Sequence, residues 1–105
     1  MMMQQWARRG IIVLQPDYPL TEEMRDPYIG AETAGYNSGL LLIGLGVLEL
    51  IRGIDYISAR PDVDSKRIAL VGLSRAAIET VFAAALDDRV QSVVIQSLSS
   101  NFLLV

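Results

Sequence analysis

A chain of 105 residues, 51% of them hydrophobic, has room for one domain with a modest core and is too apolar for disorder. Its net charge is -3 and its Lys and Arg residues are scattered, so no nucleic-acid partner is expected. With no cysteine and no histidine, disulfides and the usual zinc sites are excluded, and no metal or cofactor is expected.

Taken in order, Trp6 to Arg9 reads as the end of a helix, with Gly10 as its C-terminal stop. The N-terminal residues do not read as a signal peptide, because only the short apolar run Ile11 to Leu14 follows the charges and no small-residue cleavage site comes after it. The cytoplasm fits this pattern and the lack of cysteine, without being required by them. Ile11-Ile-Val-Leu14 is continuous and β-branched, which predicts a strand buried on both faces. Pro16 to Pro19 then breaks the chain. Residues 20–37 read as a long polar connection, with a weak helix start at Thr21. Its Glu22, Glu23, Asp26 and Glu32 match no calcium-loop spacing and read as a solvated acidic loop. Tyr18, Tyr28 and Tyr36 carry no spacing that marks a pocket.

Asn37 or Ser38 is a candidate cap for a helix over Gly39 to Ala59, whose first half is apolar nearly all round. The apolar stretch Gly39 to Leu48 is stopped by Glu49 and Arg52, too short to cross a bilayer, so no membrane partner is expected. Gly44 and Gly46 lack the third glycine of a dinucleotide fingerprint and read as helix packing. Arg60-Pro61 ends the helix, and Asp62 to Arg67 is a polar turn. Ile68 to Val71 is a second predicted strand, and Gly72 to Ser74 a turn. Arg75 to Leu86 is a predicted helix with Ile78, Val81, Phe82 and Ala85 on one face. Asp87 to Arg89 turns the chain into a third strand, Val90 to Gln96. Strand, helix, strand, helix, strand is the order of a parallel α/β sheet with right-handed crossovers.

Gly72-Leu-Ser-Arg-Ala76 stands between a predicted strand and helix and has the form G-x-S-x-A. A nucleophile elbow, G-x-S-x-G, sits at such a junction. The chemistry requires small residues two before and two after the serine, because the tight turn brings them together. The turn lifts the hydroxyl clear of the sheet, beside a helix N-terminus whose N–H groups favour a developing oxyanion. The plainer reading is a βα turn in which Ser74 caps the helix.

The phrases around this turn resemble the α/β-hydrolases of the acetyl xylan esterase, dienelactone hydrolase and prolyl oligopeptidase-like group. Asp55-Tyr through Arg60-Pro61 and Arg67-Ile68 to Ser74 are similar to the segment leading into that group's nucleophile. Phe82 to Val94 resembles the A-A-x-D-x-R-V-x-A-V-V phrase, and Trp6 to Pro19 the earlier A-x-x-G-Y-x-V-L-x-P-D-Y phrase. The resemblance implies a partial α/β-hydrolase fold over residues 1–105 as a single partial domain. About three parallel strands with crossover helices are expected, as a piece of a three-layer αβα sandwich. It implies Ser74 as nucleophile toward a small-molecule ester, and the Arg75 backbone N–H as half of an oxyanion hole. Ala76 and Ala77 stand where the group has Gly-Gly, which predicts crowding at the elbow. The group's acid and histidine follow later strands. Two readings result: a fragment of a serine carboxylic-ester hydrolase that is inactive alone, or a non-catalytic hydrolase-like remnant or interaction module. Either way, raw sheet edges predict self-association and marginal stability.

Overall fold

The computed structural model describes residues 2–16 and 42–97. Their elements are α1 (Met2–Ala7), α2 (Leu42–Ser58), β1 (Ile68–Leu73), α3 (Arg75–Leu86) and β2 (Val90–Gln96). The expected caps Asn37 and Ser38, the acidic loop, the three tyrosines and residues 98–105 lie outside the described residues.

Gly10 ends the first helical segment as expected, in the left-handed region at φ 80°. The Gly10 N–H donates to Ala7 O at 3.0 Å and the Ile11 N–H to Trp6 O at 3.1 Å. This pair of bonds is a Schellman closure, which satisfies two carbonyls of the last turn. A residue with a Cβ is disfavoured at such a φ, and glycine is not.

The strands β1 and β2 are parallel, pairing Leu70 with Val93, Val71 with Val94 and Gly72 with Ile95. The intervening α3 packs against both strands, and α2 packs on α3. The described part is thus a mixed α/β unit with a two-stranded parallel sheet. Three strands were expected, and the run Ile11 to Leu14 departs from that. It forms no ladder with the described strands, and Ile11, Ile12 and Leu14 are 53, 45 and 41% exposed. Hydrophobicity suits a run to a sheet, but a ladder also needs a neighbour with free backbone groups. Among the described residues the three-layer arrangement is not seen either. Ile68 and Gly72 are buried on the α3 side of β1, while Ala69, Val71 and Leu73 on the other side are exposed.

The contact face of α3 also differs from expectation. The buried residues are Ala77, Glu79, Thr80 and Ala83, whereas Val81 and Phe82 are exposed and Ile78 is half-buried. The reason is distance: the helix starts one residue after the strand ends, so only small side chains fit between them. Glu79 fits because Gly46 of α2 lies over its carboxylate. A Cβ at Gly46 would come within 2.5 Å of Glu79 Oε1. Gly46 is thus a packing glycine, as its place inside a helix implied.

One cluster ties the far ends of this unit together. Arg89, just before β2, holds Asp87 through Nε at 2.8 Å and Nη2 at 2.6 Å. The same Nη2 donates to Asp55 Oδ1 of α2 at 2.8 Å. Asp55 also accepts from Arg52 at 3.1 Å. The Arg89 hydrogen bond is the main cause that holds the Asp87 carboxyl below its ordinary value, and likewise for Asp55, with Arg52 second. A carboxyl whose pKa is depressed by folding adds stability above its unfolded pKa and loses it as pH falls through the folded one. The expected result is an acid limb of unfolding that begins below about pH 4. In Arg89→Met the guanidinium is gone and only the backbone N–H of residue 89 still opposes the desolvation of Asp87, so that carboxyl protonates at higher pH. Thermal melts across an acid pH series should then show the limb shallower and the neutral-pH midpoint slightly lower. An unchanged pH profile would remove the clamp from the account of stability.

Candidate active site

The turn between β1 and α3 is one residue long, and that residue is Ser74. Its φ is 57° and its ψ -119°, a combination rarely adopted by a residue with a side chain. Its backbone is nevertheless held at both ends. The Ser74 N–H donates to Gln96 O of β2 at 3.0 Å, and Ser74 O accepts from the Ala77 N–H at 3.0 Å. The ladder and the helix together thus impose a strained conformation on one residue.

Gly72 makes the turn possible. A Cβ there would collide with Thr80 Oγ1 and come within 2.5 Å of Ala76 O and 2.7 Å of Ala77 Cα. The last two belong to helix backbone, which cannot rotate away. This is the close approach that the small-residue pattern predicts for the position two before the serine. Ala77 is fully buried against it and Ala76 is half-buried. The expected crowding from Ala76 and Ala77 is therefore absorbed on the strand side, where glycine leaves the room.

Ser74 is exposed, and its hydroxyl makes no capping hydrogen bond to the helix that follows. A serine used only as a cap would direct that oxygen at the N–H of the second or third helical residue. Arg75 opens α3 directly after it, so its backbone N–H is at the helix N-terminus beside the Ser74 side chain. The Arg75 guanidinium turns toward the buried Glu79, with Nε 3.7 Å from Oε1. No group of three or more acidic residues that would suit a metal ion occurs among the described residues. No described helix is long and apolar enough to cross a membrane.

Other signals were beyond local sequence reading. The Asp55–Arg89–Asp87 cluster joins residues 34 apart, and its only trace in the sequence is that all three lie in the family-like phrases. The seat of Glu79 beneath Gly46 has no local signature at all.

Comparison with known proteins gives a partial likeness. The chain is 32% identical over 54 residues to a Bacillus subtilis (strain 168) protein named "Putative hydrolase YtaP", covering 51% of this chain and 18% of that protein. The matched stretch thus spans about a fifth of the length of that relative. No protein-family model matches the chain, and no solved structure matches it. The likeness suggests, at most, a distant relation to a hydrolase.

Proposed function

We propose that Ser74 is the nucleophile position of a serine carboxylic-ester hydrolase, carried here on the central part of an α/β-hydrolase domain. The observation that supports this most is the backbone of Ser74, at φ 57° and ψ -119° between β1 and α3, with its hydroxyl not spent on the helix. Strain of this kind persists only where the surroundings impose it, and it gathers at functional sites. In the proposed reaction Ser74 Oγ attacks an ester carbonyl, its proton passes to a base, and the Arg75 N–H stabilises the oxyanion. The alcohol then leaves and water cleaves the acyl-enzyme.

The base is not among these 105 residues, because none is histidine. A serine hydroxyl without a base of suitable pKa is a weak nucleophile. The chain alone should therefore turn over an activated ester little or not at all. The test is labelling with a fluorophosphonate, read by peptide mass spectrometry, with and without added imidazole as an external base. Ser74 should be labelled faster than the exposed Ser65, imidazole should widen the gap, and Ser74→Ala should abolish the label. Equal labelling of Ser74 and Ser65 would sink the hydrolase reading and leave the non-catalytic remnant. Robust turnover by the unaided chain would refute the claim that the base lies outside it.

A further inference from the structure

Three elements meet at Ser74: β1 ends before it, α3 begins after it, and β2 accepts its N–H. Neither strand has a charged side chain, and α3 has two, Arg75 and Glu79. The charge that these elements bring to the turn is therefore settled by that one pair. Arg75 directly follows the nucleophile position. An arginine side chain at such a place can swing over the hydroxyl, where its charge would draw in anions.

Here it is held toward α2 instead. Glu79 is four residues on, so the two side chains share one face of α3. Arg75 Nε is 3.7 Å from Glu79 Oε1. Glu79 is 3% exposed, and a Cβ at Gly46 of α2 would overlap both of its carboxylate oxygens. The carboxylate is thus covered by α2 and has no room to follow the guanidinium outward. A carboxylate so covered is costly unless a cation stays beside it, so the pair is fixed from the Glu79 end. Arg75 is drawn in accordingly: its Nη2 is shut off from solvent, while the side chain as a whole is 36% exposed.

We propose that Glu79 is a positioning residue that sets charge selectivity at Ser74. It holds the Arg75 guanidinium toward α2 and offsets its charge, so the site takes an uncharged ester rather than one with an anionic acyl or alcohol group. The ester class rests on the hydrolase reading above, and the charge beside Ser74 does not depend on it.

The probes are two fluorophosphonates of equal length, one with an alkyl tail and one with a terminal carboxylate, used on the 105-residue chain. Each phosphonylates a serine with loss of fluoride, and peptide mass spectrometry reads the carboxylate-to-alkyl rate ratio at Ser74. The same ratio at Ser65, which no variant touches, is the internal standard and should stay constant. Glu79→Gln keeps the shape of the side chain and takes the Glu79 counter-charge away from Arg75. The ratio at Ser74 should then rise about threefold to tenfold at low salt and return toward the parent's near 1 M salt. Adding Arg75→Met should bring it back at any salt. A purely structural disturbance would slow or speed both probes alike. Far-UV circular dichroism reports whether the variants fold, and the parent gives a reading that needs no variant. In nitrogen-15 NMR its Arg75 Nε–H should exchange with water about tenfold more slowly than those of the exposed Arg8 and Arg9. An unchanged ratio in a folded Glu79→Gln chain overturns the assignment of Glu79, and so does an Arg75 Nε–H that exchanges as fast as those of Arg8 and Arg9. Equal labelling of Ser74 and Ser65 in the parent would sink the hydrolase reading alone, because the ratio is still read at Ser74 whatever its absolute rate.

Discussion

Gly72→Ala is expected to lower the stability of the chain by about 1–2 kcal/mol. Overpacking a site that cannot relax costs about 1–3 kcal/mol, and a stiffer unfolded chain returns about 0.4–1 kcal/mol. The added methyl would meet Thr80 Oγ1 and the backbone at Ala76 O and Ala77 Cα. Thr80 can move its hydroxyl only by giving up its place in the core, where it is 1% exposed. The helix backbone has no such freedom. A domain of this size should lose about 5–10 °C of thermal midpoint. Preferential labelling of Ser74 should be lost with it, because pushing α3 away from β1 relaxes the turn. Gly44, where a Cβ would meet nothing within 4 Å, is the control: alanine there should be neutral or slightly stabilising. A Gly72→Ala chain as stable as the parent would mean that the approach of strand and helix is looser than described.

Ser74→Gly is expected to act in the opposite direction. A non-glycine residue in this region of backbone space stores about 1–3 kcal/mol. Glycine releases it, offset by about 0.4–1 kcal/mol of extra freedom in the unfolded chain. The net expectation is a gain of about 1 kcal/mol, or about 5 °C. Ser74→Ala separates strain from chemistry: it removes the hydroxyl and keeps the Cβ, so labelling should vanish while the midpoint stays near the parent's. Midpoints by differential scanning calorimetry decide between the two. If glycine and alanine behave alike, the turn is not strained and the main support for a nucleophile at this position is gone.

The bounds of β1, α3 and β2 were legible within two residues. A β-branched run, an alanine-rich segment and an Asp-Asp-Arg turn each carry a local cause. The glycine before the serine was legible too, because the elbow pattern states what must be small and where. The place of Ile11 to Leu14 was not. Its composition says what it would bury, but a ladder depends on which strand stands beside it. The inward face of α3 was misread for a related reason. Ranking by hydrophobicity picks Phe82 and Val81, while the close junction at Gly72 admits only Ala77, Thr80 and Ala83. The Arg89 cluster depends on chain segments meeting across 34 residues, which no window of local sequence can register.

That cluster has a kinetic consequence. By joining Asp55 to the segment that enters β2, Arg89 closes a loop that contains β1, α3 and the Ser74 turn. Closing such a loop costs chain entropy once, and every contact inside it is then local to a smaller unit. Residues 55–89 are thus drawn into one closed segment, and β2, which leaves it at Val90, returns along β1 to complete the ladder and to hold the Ser74 N–H.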